Sequence, residues 1–414
     1  MDPMPKTYDL AIVGGGIGGS ALAQVMARAG VSVLLLERTE AYEDRVRGEW
    51  IAPWGVTEVR RLGLYDLLLA AGGHHVATHV SYDETRTARD SEAETLPLSI
   101  FAPDVPGPLC LGHPHHCQTL FDAALAAGAD ARRGVEVLEV AAGPAPRVAW
   151  RDGAGDHEAY ARLLVGADGR ASMVREALGI SLNQDAPHHM FAGLLVADAP
   201  DWDASRQTIG VEGDFNFLTF PQGAGRVRLY GSFPIDQRRR FSGPEGPQAF
   251  LDAFQVTCAP DHGRLATARP AGPLLSYFNN DAWTDQPFAE GAVLIGDAAG
   301  WNDPIIGQGL SITYRDVRLV SDILKAGADW SPAALAPYGE ERAERLRRLR
   351  FAASVTSSLE AEFGPVAAAR RARHHAAAAL DPSLRLHTIA VMAGPDAVPP
   401  EAFTAEQRAR VLGV

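Results

Sequence analysis

Gly14-Gly15-Gly16-Ile17-Gly18-Gly19 is a glycine turn of the kind that holds phosphate, and Glu37 is an acid spaced to hold a sugar. The turn follows the apolar run Tyr8-Asp9-Leu10-Ala11-Ile12-Val13 and opens an alanine-rich helix. Glu37 closes a second run, Val31-Ser32-Val33-Leu34-Leu35-Leu36. Each residue type has a physical task. Gly14 turns the chain out of its strand, Gly16 lets a pyrophosphate approach the backbone, and Gly19 lets the helix pack closely on the sheet. The Ile17 and Gly18 amides sit at the helix N-terminus, where free N–H groups and the helix dipole favour a phosphate. Gly30 supplies a left-handed helix stop, and Glu37 falls where a ribose 2′-hydroxyl needs an acceptor. Strand, glycine turn, helix and acid-tipped strand together predict a dinucleotide site.

Several elements must carry this turn. The chain has 414 residues, long for one core, so two or more domains are expected. A hydrophobic content of 46% and a charged content of 21% describe an ordinary globular protein. The formal net charge of −13 argues against a nucleic-acid partner or an anionic membrane surface. Cys110, Cys117 and Cys258 are odd in number and scattered, so no disulfide framework is expected. The first strand starts near residue 1 and no run of eighteen apolar residues occurs. The expectation is therefore a cytoplasmic chain without signal peptide or transmembrane helix. Nothing in the sequence specifies an oligomeric state.

Along the chain, Val56, Val59, Leu62, Leu64, Leu67 and Leu68 predict a helix over 53–71. Residues 76–101 read as polar and irregular with short alternating runs, and 118–127 as helix. A strand over 135–140 precedes a hairpin of 148–151 and 157–161 around Asp152-Gly153. A separate buried strand, 163–165, then runs into Gly166-Ala167-Asp168-Gly169. From 191 to 278 the texture is alternating β, with 215–220 and 227–233 flanking a glycine turn and a helix over 247–257. This reads as a mainly antiparallel sheet inserted into the first domain. A buried strand over 292–295 returns to Gly296-Asp297, a helix covers 309–325, and 332–414 is helical. Arg370-Arg371-Ala372-Arg373-His374-His375 reads as a solvated helix face. His113-Pro114-His115-His116-Cys117 lacks the paired spacing of a closed zinc site. No metal is expected there, and its histidines are expected to cap the following helix or line a cavity mouth.

Three motifs stand in order: the fingerprint, Gly166-Ala167-Asp168-Gly169-Arg170-Ala171-Ser172 with Val174-Arg175, and Gly296-Asp297-Ala298-Ala299 with Pro304 and Gly307-Gln308-Gly309-Leu310. The set resembles the single-component (class A) flavoprotein monooxygenases of the para-hydroxybenzoate hydroxylase type. The resemblance implies an α/β fold, with a doubly wound FAD-binding Rossmann-type domain over 1–75, 102–182 and 279–330. It implies an inserted, mainly antiparallel β-sheet substrate domain over 76–101 and 183–278, and a helical C-terminal region over 331–414. FAD would lie on Gly14, Gly16, Ile17, Gly18, Gly19 and Glu37. Asp297, after Gly296, would accept two ribityl hydroxyls. Gly307, Gly309 and Leu310 open a helix whose amides would face the pyrimidine end of the flavin.

Pro304 would shape a loop beside the ring, where such enzymes place substrate. Arg47, before Gly48, would contact the cofactor, with Arg45 the second choice. Arg38, Asp168 and Gln118 complete the cofactor set, Gln118 standing where relatives often carry an arginine, together with Val137, which would meet adenine through its backbone. Gly300-Trp301 replaces a histidine common in relatives. Glu49 and Trp50 depart from the commonest pattern and are, with Pro304, the candidates for catalysis or substrate contact.

Arg226, Arg228, Tyr230 and Ser232 share one face of a strand by alternation. Turned to the flavin, Arg228 and Tyr230 would bind an aromatic or carboxylated substrate. Turned to water, which is the favoured orientation, they form an ordinary polar surface. The implied reaction is reduction of FAD by NAD(P)H, bound transiently because only one fingerprint exists, and addition of O2 at the flavin C4a. The resulting hydroperoxide passes oxygen to an aromatic or other electron-rich small molecule, and the covering sheet excludes water. A flavin-dependent reductase of the geranylgeranyl reductase type shares the Gly296–Gly300 ending. A halogenase shares the FAD domain, but its W-x-W-x-I-P signature does not occur.

Overall fold

The computed structural model describes residues 6–199 and 201–414. Its first sheet follows from alternation in two apolar runs. Leu10 and Ile12 enter one core cluster and Ala11 and Val13 another, on opposite faces of the same strand. Burial on both faces is what a parallel sheet covered by crossovers requires. The order is Phe288–Ala289, Ala292–Leu294, Gly155–Gly166, Lys6–Val13, Val33–Glu37, Asp130–Arg133, and all pairs but the first are parallel. Gly155–Gly166 is a single twelve-residue strand, where the sequence suggests a hairpin arm and a separate strand. Its start pairs antiparallel with Arg147–Asp152, and its later half lies between Lys6–Val13 and Ala292–Leu294.

The second sheet runs Arg269–Pro270, His189–Ala197, Arg226–Phe233, Phe215–Gly223, Arg206–Glu212, Thr78–Asp83, Leu96–Pro97. It is antiparallel except where Thr78–Asp83 joins Arg206–Glu212. One of its faces packs Phe215, Phe217 and Phe233 on the helix Gly246–Ala253. Helices Pro332–Glu360, Pro365–Leu380, Leu386–Ala393 and Ala405–Leu412 complete the chain. Among the described residues no helix is long and apolar enough to cross a membrane.

Four local expectations are corrected. The helix expected over 53–71 is two, Pro53–Arg61 and Tyr65–Ala70, because Gly63 takes a left-handed φ of +69° between them. The helix expected from 118 starts at His113 with Pro114 in its first turn, so His113 to His116 are helical residues and Gly112 is the N-cap. Residues 76–101 hold the strand Thr78–Asp83 and a helix, Ala88–Ala93, capped by Thr87. Arg371 is not solvated. It is 3% exposed and pairs with Asp83 at 2.7 Å and Glu84 at 2.5 Å, tying the C-terminal region to the inserted sheet. A run of charges looks exposed in sequence, but helical rotation turns one member inward.

The strongest tie below the third motif is also a buried ion cluster. Asp316, on the helix Gly309–Ala326, accepts from Gly296 N (2.9 Å), Arg342 Nε (3.1 Å) and Arg345 Nη2 (2.7 Å). Arg342 also donates to the carbonyls of Ala299 (2.9 Å), Gly296 and Gly300 (both 3.2 Å). Removing the carboxylate leaves the buried Arg342 without a counter-charge and Arg345 with Glu341 alone. Asp316→Ala should therefore cost about 3–5 kcal/mol of stability, read from urea unfolding; a loss below about 1 kcal/mol would contradict the assignment.

His116 is bonded to Tyr314 in the core, and burial pushes its pKa down to about 3. Below about pH 6.5 the unfolded chain takes up a proton there that the folded chain refuses. His262 and His387 are held down to about 3 in the same way. Their contribution is fully present above pH 6.5 and is lost as the pH falls. The urea midpoint should drop from pH 7 to pH 5; a midpoint that rises instead would contradict neutral, buried imidazoles.

Candidate cofactor and substrate site

The glycines of the fingerprint divide by what constrains them. Gly14 has φ +102°, and a Cβ there would lie 2.4 Å from the Ala167 carbonyl oxygen; at Gly19 it would lie 1.9 Å from the Gly14 oxygen. The fold itself demands both. Gly16 is different. Its φ is −71°, open to any residue, and a Cβ there would meet nothing within 4 Å. Neither backbone nor packing needs this glycine, and the space before it is open. The helix Ile17–Arg28 that follows has no side-chain cap, and its first amides stay available. A Cβ on Gly18 would lie 2.9 Å from Thr313 Cγ2, so this turn packs on the first turn of Gly309–Ala326. That second helix also lacks a side-chain cap, and Gly309 at its start faces open space. Two uncapped N-termini thus lie side by side, as a ligand carrying a pyrophosphate and an anionic ring requires.

Glu37 holds the tip of its strand against the turn. Its Oε2 accepts from Gly15 N and its Oε1 from Thr39 N, each at 2.7 Å. Gln118 points to Arg133, accepting from Nη1 at 2.6 Å. Arg133 lies over Phe121 (4.9 Å) and Tyr42 (5.3 Å), and Tyr42 donates to the Gly15 carbonyl at 2.5 Å. Arg133 is thus a cation beside the fingerprint that the sequence reading missed. Its signal was its place at the end of the strand paired with Glu37. Val137 is half-buried opposite Trp150, and Arg38 is exposed. Ser172 caps the helix Met173–Ala177, and Asp168 accepts from Ser172 Oγ (2.5 Å) and Val174 N (3.3 Å), with burial raising its pKa.

The third motif forms the opposite wall. Asp297 faces Arg170 Nε at 3.3 Å, and that guanidinium lies 4.9 Å over the Trp301 ring. Arg47 lies over the Tyr277 ring at 5.7 Å, with burial lowering its pKa. Asp303 caps Pro304–Ile306, and desolvation lifts its pKa to about 6. Gly307 is left-handed at φ +64°, and a Cβ there would lie 3.2 Å from the Trp50 ring. Trp54 Nε1 donates to Gln308 Oε1 (2.8 Å), and Ala52 N donates to Ser311 Oγ (3.1 Å). Residues 50–54 are sewn onto the loop that runs from Pro304 to Leu310.

The polar face of Arg226–Phe233 turns inward, contrary to the favoured expectation. Only Arg226 is exposed; Arg228 is 0% and Tyr230 8% exposed. Arg228 Nη2 and Nε meet the two oxygens of Glu49 at 2.7 and 2.5 Å, and Nη2 also reaches Asp44 Oδ2 at 2.7 Å. Tyr230 donates to Glu49 Oε2 at 3.1 Å. Burial opposes the Arg228 charge, but Glu49 outweighs it and keeps the guanidinium ionised, while burial and Glu49 raise the Tyr230 pKa. Glu49 is therefore a buried partner of the sheet, not a surface carboxylate. Between its two anchors the loop is strained: Val46 has φ +53°, uncommon for a β-branched residue. Asp44 Oδ1 accepts from Val46 N at 2.7 Å, and Tyr277 donates to the Arg45 carbonyl at 2.5 Å. Gly193 in the sheet admits the loop, since a Cβ there would lie 2.4 Å from Val46 Cγ1. Trp50 completes the contact, donating to Gln207 Oε1 (3.0 Å) with its ring 5.8 Å from Phe220.

Comparison with known proteins agrees with this geometry. A family described as FAD binding domain matches residues 7–352. Squalene monooxygenase of Rattus norvegicus is 28% identical over 338 residues, covering 77% of this chain and 54% of that protein. The chain thus spans about half the length of the first curated relatives it matches. Ubiquinone hydroxylase UbiL of Rhodospirillum rubrum is 27% identical over 412 residues, covering 92% of this chain and 88% of the relative. PqsL of Pseudomonas aeruginosa, a probable FAD-dependent monooxygenase, shares the fold at a TM-score of 0.70 and 22% identity, over 86% of this chain and 97% of its own.

Gly16 gives the sharpest test of the cradle. Gly16→Val introduces a side chain that the protein accommodates and a pyrophosphate does not. The variant should fold like the parent by circular dichroism and thermal melting, yet fail to take up FAD on reconstitution. FAD binding at unchanged affinity would show that the pyrophosphate does not pass there.

Proposed function

The chain belongs to the FAD-binding family of the class A flavoprotein monooxygenases, and from that premise we propose that it uses NAD(P)H and O2 to oxygenate an aromatic or other electron-rich small molecule. FAD would be held by the Ile17 and Gly18 amides at its pyrophosphate, by Glu37 at its ribose and by Asp297 at its ribityl chain. Arg47, Gly48, Pro304, Gly307 and Leu310 would surround its ring. When bound, FAD would supply the redox chemistry that couples oxidation of NAD(P)H to reduction of O2, with one oxygen atom entering the substrate and the other leaving as water.

The residues of the chain bind, orient and exclude water. The uncapped start of Gly309–Ala326 directs N–H groups toward the ring end of the site, where a positive dipole stabilises negative charge on reduced flavin. Trp50 and the inserted sheet cover that end with apolar side chains. Arg228 and Glu49 hold the covering loop in place instead of taking part in proton transfer. The observation that carries the reading is that the sequence has one dinucleotide fingerprint and that an apolar face of the inserted sheet, with Phe220 and Tyr230, packs on Val46 and Trp50 of the loop. This suits a transient visit by the nicotinamide and a dry ring site.

The Gly296-Asp297-Ala298-Ala299-Gly300 ending favours one other reading, a flavin-dependent reductase that delivers hydride to an alkene. Turnover under ¹⁸O2 separates the two. The monooxygenase transfers one labelled oxygen to its product and consumes O2 with NAD(P)H. Turnover under strict anaerobiosis, with two hydrogens gained and no label, would overturn it in favour of the reductase.

A further inference from the structure

Resting on the monooxygenase reading, we propose that the substrate is an uncharged, apolar molecule and that Met392 and Val391 form the far wall of its site. The first half follows from charge. Arg228 is the cation that the inserted sheet turns toward the loop, and it already faces two carboxylates, Asp44 and Glu49. The two side chains paired directly with this guanidinium are both carboxylates, and the Tyr230 hydroxyl is spent on Glu49. A carboxylated substrate approaching Arg228 would lie against the Asp44 and Glu49 carboxylates, and taking the place of either would leave that carboxylate buried without its counter-charge. The other guanidinium groups nearby, Arg47 and Arg170, face Asp297 and the Tyr277 and Trp301 rings on the cofactor side.

The second half follows from packing. Val46 and Trp50 of the loop, Leu218, Phe220 and Tyr230 of the sheet, and Met392 form one apolar cluster, against which Val391 lies half-buried. Met392 and Val391 belong to the helix Leu386–Ala393, which packs on both Pro53–Arg61 and the turn Leu98–Phe101. That helix bridges the segment after Trp50 and the inserted sheet's margin. It also lies beyond residues 7–352, the part shared with the FAD-binding family. The wall it builds stands where side-chain volume sets which apolar substrate fits.

A matched probe pair tests this on the full-length, FAD-loaded protein. The neutral 2-naphthol and the carboxylated 6-hydroxy-2-naphthoate are titrated separately, with binding read from tryptophan fluorescence and the flavin visible spectrum. The neutral probe should bind at least about tenfold more tightly. Met392→Trp and Val391→Phe should each weaken its binding by about tenfold or more while FAD content stays at the parent level. Equal or tighter binding of the carboxylate, no binding of the neutral probe, or unchanged affinity in both variants would overturn the proposal. The wild-type pair decides the charge claim even if one variant fails to fold. Failure of the monooxygenase reading would instead appear as absent flavin or absent ¹⁸O label.

Discussion

A buried guanidinium must have its charge cancelled, and that requirement fixes both walls of the candidate site. Below the third motif, Arg342 binds three carbonyls of the segment Gly296–Gly300 while Asp316 cancels its charge. The turn that presents Asp297 is therefore tied to two helices of the C-terminal half. Across the site, Arg228 holds the loop from Asp44 to Glu49 by its two ends. Neither cluster is an efficient source of stability, since desolvating the ions offsets much of their attraction. What each supplies is a single geometry. A loop with a β-branched residue at positive φ does not hold its shape unaided, and Arg228 is what holds it, with Arg47 over Tyr277 and Trp50 beside Phe220.

The sequence showed well the parts whose chemistry is local. A glycine turn, an acid at a strand tip and a G-D-A segment are contiguous, so the dinucleotide site and the α/β class with its inserted sheet could be read directly. The long-range pairings could not. Arg228 and Glu49 are 179 residues apart, and Arg371 and Asp83 are 288 apart. Strand alternation groups Arg228 with Tyr230 but does not say which face is inside, so water looked the better neighbour for a polar face. The mid-strand Gly193 was the available signal, because a glycine there marks a close approach by another segment. The same limit hid Arg133, whose position beside Glu37 depends on strand order.

Among the fingerprint glycines, the structure separates two kinds that a motif treats alike. Gly14 and Gly19 serve the fold and would be glycine with or without a ligand. Gly16 is required by neither backbone conformation nor packing, and open space lies before it. The same logic applies to the start of Gly309–Ala326, where an uncapped helix and an open glycine coincide.

A crystal structure of the chain with FAD bound tests the central claim most directly. The account predicts the pyrophosphate on the Ile17 and Gly18 amides, passing in front of Gly16. It places the ring between the Arg47–Trp50 loop and Pro304–Gly307, with Arg228 still paired to Asp44 and Glu49. A ring bound elsewhere, or an Arg228 released from both carboxylates to contact the flavin, would contradict it.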